Sequence, residues 1–141
     1  MTISAHMNFK QAWRAAGNPA PGNTTWSADV NGRPVFTAWA DRDLKYDKAR
    51  RRSDFFSPPG DWIKRGEGQS YIRRARAAMK AGWCCRLILL DGKFPWEEVH
   101  FAYFDDRHYA VRFTQVEDDG TIQGALHQRA QFLALPDSPQ E

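Results

Sequence analysis

Between Asp41 and Lys80, twelve Lys/Arg residues stand against six Asp/Glu, with Tyr46, Phe55, Phe56, Trp62 and Tyr71 interleaved among them. Cations and aromatic rings in one segment suit nucleic acid, because phosphates attract the first and unstacked or extruded bases pack on the second. Arg50, Arg51 and Arg52 form a triplet, Lys64 and Arg65 a pair, and Arg73, Arg76 and Lys80 recur at i, i+3 and i+7. These eight are the candidate phosphate contacts, which supply affinity without sequence information. Phe55, Phe56 and Trp62, with Trp39 from upstream, are the candidates for a pocket that stacks on a base, modified or flipped from its duplex. Residues 101–141 hold three Arg against seven Asp/Glu, whereas the whole chain carries a net +3. Charge is thus polarised along the chain, which says more about a partner than the total does.

Other chemistries find less to work with. Asp91-Gly92-Lys93 has the D-x-K spacing of sheet nucleases, in which carboxylates hold Mg²⁺ and a lysine sits near the attacking water. No second carboxylate precedes it on a neighbouring strand, and Asp-Gly after an apolar run is ordinarily a turn. A metal-dependent nuclease built on Asp91 and Lys93 is therefore the alternative reading. His6, His100, His108 and His127 neither pair at i, i+4 nor stand beside a cysteine at zinc spacing, so no metal set is assigned. Gly66-Glu67-Gly68 suits a backbone contact to an anion but lacks the lysine and glycine pattern of a nucleotide loop. No cofactor is implied. Cys84 and Cys85 are adjacent, which disfavours a mutual disulfide; reduced thiols are expected, one in the core and one nearer the surface.

The elements that must position these residues are partly readable. Asn8 to Ala16 has a short helical pattern. Thr25–Val30 and Arg33–Ala40 flank Asn31-Gly32, the dipeptide of a type I′ hairpin turn. Pairing Val30 with Arg33 places Trp26, Ala28, Val30, Val35, Thr37 and Trp39 on one core face. Residues 41–68 show no sustained periodicity and contain Ser57-Pro58-Pro59-Gly60, so an irregular functional loop is expected there. Ser70 then reads as the N-cap of a helix ending at Gly82, with Tyr71, Ala75, Ala78 and Met79 as its apolar stripe. Trp83–Leu90 is expected to be a buried strand. Val99–Phe104, Tyr109–Val116 and Thr121–Leu126 are expected to form an antiparallel meander.

The sum is an α+β fold: a mostly antiparallel, curled sheet or small open barrel of about six strands with one main helix. At 141 residues the chain suits a single domain, 1–141, with flexible ends at 1–7 and 136–141. No apolar run reaches membrane-spanning length, and two cysteines without a zinc or disulfide pattern fit a cytoplasmic protein. The expected function is a non-catalytic nucleic-acid reader, with DNA the expected partner, in a restriction or defence system. Its effector would be a separate chain or a fused nuclease domain. A phage-type or toxin-like protein-interaction module, whose basic loop docks on an acidic protein, is the remaining alternative.

Overall fold

Asn31 and Gly32 adopt φ values of 54° and 81°, the pair of positive dihedrals that a type I′ turn requires. The hairpin they close is seen in a computed structural model that describes residues 8–22, 25–39, 43–47, 52–92, 99–103 and 110–127. In chain order the elements are α1 (Phe9–Ala15), β1 (Ser27–Val30), β2 (Arg33–Trp39), β3 (Leu44–Asp47) and β4 (Arg52–Ser57). A 3₁₀ turn (Asp61–Lys64), α2 (Gly66–Ala81), β5 (Cys85–Gly92), β6 (Val99–Tyr103), β7 (Ala110–Val116) and β8 (Ile122–His127) follow. The expected flexible ends, 1–7 and 136–141, lie outside the described residues.

The α+β class holds, with a mixed, mostly antiparallel, open curled sheet. Its strands run in the order β1-β2-β5-β7-β8-β4-β3, and β6 adds to β5 off this path. Val30 faces Arg33, the register expected of the hairpin. β2 and β5 pair in parallel, Phe36 opposite Leu87 through Trp39 opposite Leu90. On the other edge of β5, β7 pairs with its first residues and β6 with its last. The expected meander is thus corrected. β6 does not pair with β7 among the described residues; the two follow one another along β5, and only β7 and β8 form a hairpin.

Two apolar clusters hold the layers together. Phe36, Ala38, Phe55, Cys85, Leu87, Leu89, Val111, Phe113 and Ile122 meet Tyr71, Ile72, Ala75 and Ala78 of α2. On the opposite face of β1, β2 and β5, Val30, Val35, Ile88 and Leu90 meet Ala12, Trp13 and Ala16 of the α1 region. β5 is therefore covered on both faces, which is why its sequence is a continuous apolar run and not an alternation. The hairpin is covered on both faces too, correcting the single core face expected of it. Ala28, Val30, Val35 and Trp39 join the α1 cluster, whereas Phe36 and Ala38 join the α2 cluster and Trp26 packs against it. Both cysteines are buried free thiols, so neither lies near the surface.

α1 begins with a reciprocal cap: Asn8 Oδ1 accepts from Gln11 N–H at 2.8 Å, and Gln11 Oε1 accepts from Asn8 N–H at 2.9 Å. α2 begins four residues before Ser70, and its Ncap is Arg65. Glycine is a poor helix former, but a Cβ on Gly68 would collide with the carbonyl oxygen of Trp62. Close packing of the 3₁₀ turn on the helix thus decides this boundary. At the other end Gly82 takes a left-handed φ of 72°, and its N–H donates to the Ala78 and Met79 carbonyls.

Candidate nucleic-acid interface

Three of the eight candidate phosphate contacts converge. Arg73, Arg76 and Lys80 line one open groove of about 540 Å³ along α2, together with Gln69, Ile72, Ala77 and Asp118. The helical repeat explains the convergence, since residues three and four apart share a face. The apolar stripe of α2 turns toward the sheet, which leaves this basic row to solvent. Sixteen residues make the helix about 24 Å long. Arg65, at its Ncap, and Lys64, in the preceding 3₁₀ turn, are exposed at its N-terminal end.

Each cation has a distinct local setting. Arg73 Nη2 reaches Ser70 Oγ at a long 3.4 Å. Lys64 Nζ lies 3.4 Å from Asp61, with both side chains largely exposed. Arg76 Nη2 donates to Asp118 Oδ1 at 2.7 Å and to the Val116 carbonyl at 3.5 Å. Arg74 turns away from the groove. Its Nη1 donates to both Ser27 O and Ser27 Oγ at 2.9 Å, and its Nε lies 3.5 Å from Asp29. The adjacent arginines therefore divide their work, one facing solvent and the other tying α2 to β1.

Arg50 and Arg51 lie outside the described residues, and Arg52 is the first residue of β4, opposite Asp47. The segment expected to be an irregular loop is in good part regular: it supplies β3, β4 and the 3₁₀ turn. That corrects the setting of the stacking candidates. Phe55 is a core residue on β4, edge-on to Phe113 with ring centroids 5.5 Å apart. Trp62 is buried against Tyr71 and Trp26, and its Nε1 donates to the Pro58 carbonyl at 3.1 Å. Phe56 is half-buried on β4. Trp39 packs with the α1 cluster, on the far face of β2 from Trp62. The four aromatics do not gather into one pocket.

Asp91 falls within β5, opposite Phe101, and Lys93 lies outside the described residues. Among the described residues, no three His, Cys, Asp or Glu side chains are grouped to hold a metal ion. Likewise, no helix among them is long and apolar enough to cross a membrane.

Asp118 is the groove residue that spacing along the chain does not reveal. It sits in the Glu117–Gly120 turn between β7 and β8, whose composition signals a turn but not its neighbour. The turn is well tied: Glu117 N–H donates to Thr121 O at 2.9 Å and Gly120 N–H to Glu117 O at 3.2 Å. Thr121 N–H donates to Asp119 Oδ1 at 2.8 Å. That backbone bond and the Thr121 hydroxyl hold the Asp119 carboxyl below its ordinary range. Comparison with protein families, curated proteins and solved structures returned no match.

Proposed function

We propose that the outer face of α2 is a nucleic-acid-binding surface that grips phosphates, and that the protein is a non-catalytic DNA-binding module. The observation that carries this reading is the alignment of Arg73, Arg76 and Lys80 along one open groove. Exposed Lys64 and Arg65 continue the positive charge beyond the helix N-terminus. A row of cations on a helix with a solvent-facing groove suits the backbone of an extended polyanion, because each contact releases condensed counterions. Burial of Phe55 and Trp62 argues for backbone contact over base stacking at those two positions. Binding is then tolerant of sequence, as phosphate contacts position a chain without reading it. In a restriction or defence setting, the chemistry would fall to an effector on another chain or to a fused nuclease domain.

Fluorescence anisotropy with labelled duplex and single-stranded DNA tests the proposal. Three phosphate contacts give a plot of log K against log salt with a slope of about −3 on duplex DNA. The double variant Arg73→Ala/Lys80→Ala binds every sequence more weakly, with a slope shallower by about 2. Salt-independent binding, or a double variant that binds like the parent, overturns the reading.

A further inference from the structure

The basic face of α2 brings its own counter-ion. Asp118 Oδ1 lies 2.7 Å from Arg76 Nη2; the Arg76 side chain is 35% exposed and that of Asp118 92%. An ion pair this open to water contributes little to stability, on the order of 0–1 kcal/mol. Its effect on an incoming anion is larger in proportion. A phosphate aimed at Arg76 must displace a carboxylate already hydrogen-bonded there, and that carboxylate repels it while it stays.

The turn is built to keep Asp118 at the groove. Gly120 has a φ of 98°, and a Cβ there would come within 2.7 Å of Ile63 Cγ2 and 2.9 Å of the Trp62 ring. The turn thus presses on the 3₁₀ turn that precedes α2, while the bonds to Thr121 fix its far side. Glu117 and Asp119 are exposed on either side of Asp118. At physiological salt the Debye length is about 8 Å, so charges on neighbouring residues of one turn still act together.

We propose that Asp118 is an internal competitor for phosphate: it occupies Arg76 in the free protein and yields it when a nucleic-acid backbone enters the groove. The inference rests on α2 being the phosphate-facing surface. It makes the acidic turn a device that keeps the affinity of that surface low and its binding readily reversed. Arg73 and Lys80 make the first contacts, and Arg76 joins only after Asp118 is displaced.

Asp118→Asn removes the charge with little change in shape and leaves the backbone bonds of the turn available. The expected result is binding at least about threefold tighter near 150 mM salt, with a salt slope steeper by about 0.9, one added phosphate contact on duplex DNA. Arg76→Gln should cost more in the Asp118→Asn background than in the parent, and the double variant should return to near-parental affinity and slope. Parental affinity and slope in Asp118→Asn overturn the inference. So does a gain that persists undiminished with Arg76→Gln, since net charge alone would then explain it. If the parent binds and Arg73→Ala/Lys80→Ala weakens it while Asp118→Asn changes nothing, only this inference falls. If neither the parent nor Asp118→Asn binds, the proposed function falls with it. Thermal melts accompany each variant; should Asp118→Asn melt below the assay temperature, Asp118→Ser supplies the same loss of charge.

Discussion

Gly66 and Gly68 sit two residues apart at the start of α2, yet a methyl group would meet open space at the first and the Trp62 backbone at the second. Their substitutions should therefore diverge in sign. Gly68→Ala forces the 3₁₀ turn off the helix and should destabilise the protein by about 2 kcal/mol, the usual scale of overpacking. Gly66→Ala gains helix propensity and a less flexible unfolded chain, and should stabilise by up to about 1 kcal/mol. Urea unfolding monitored by circular dichroism checks both, with a common denaturant slope as the condition for comparing them. Equal effects would refute the close contact. Composition alone suggests two loop glycines, because the neighbour that makes Gly68 necessary comes from the 3₁₀ turn folding back on the helix. The same limit applied to Asp118: an acidic turn is plain from its residues, but its placement over Arg76 depends on how β7 lies against α2.

At the scale of elements, legibility followed how local the determinants were. The β1–β2 register and the end of α2 rest on Asn31, Gly32 and Gly82, whose positive φ values are met within a few residues. The basic row of α2 was likewise visible from spacing, since it needs nothing but the helical repeat. β3 and β4 were hidden because Arg52-Ser53-Asp54-Phe55-Phe56-Ser57 offers no clean alternation; β4 is held by pairing with β8 and by Phe55 in the core. The parallel match of β2 with β5 was hidden for a related reason, as its partners lie about fifty residues apart. The helix face containing Arg74 gives a prediction at this scale. Arg74→Ala severs two 2.9 Å bonds to Ser27 and loosens α2 from β1. It should cost about 1–2 kcal/mol, given that hydrogen bonds from a charged donor are worth more than neutral ones. Nucleic-acid affinity and its salt slope should stay at parental values, since the guanidinium points away from the groove. Urea titration and anisotropy on one preparation separate the two effects, and a shallower salt slope in Arg74→Ala would contradict the division of work between Arg73 and Arg74.

For the molecule as a whole, β5 is the shared wall. Leu87 and Leu89 serve the cluster beneath α2, and Ile88 and Leu90 serve the cluster beneath α1. Every residue from Leu87 to Leu90 also pairs with β2, so neither cluster can open fully without disturbing a strand the other needs. This coupling leads to a cooperative unit, in which damage to one face lowers the stability of both. Leu87→Ala and Ile88→Ala lie on opposite faces of the strand and should each cost about 2–5 kcal/mol, the range for truncating a large buried aliphatic residue. The telling observation is the shape of unfolding. Far-ultraviolet circular dichroism reports the helices and sheet together. Tryptophan fluorescence samples Trp62 in one cluster and Trp13 in the other. In each variant the two signals should fall in one coincident transition, moved to lower denaturant by a similar amount whichever face was truncated. Were Ile88→Ala to release α1 in a separate early step while the α2 cluster kept its parental midpoint, β5 would be two independent surfaces. The rigid placement of α2 and its basic groove would then owe nothing to the α1 layer behind the sheet.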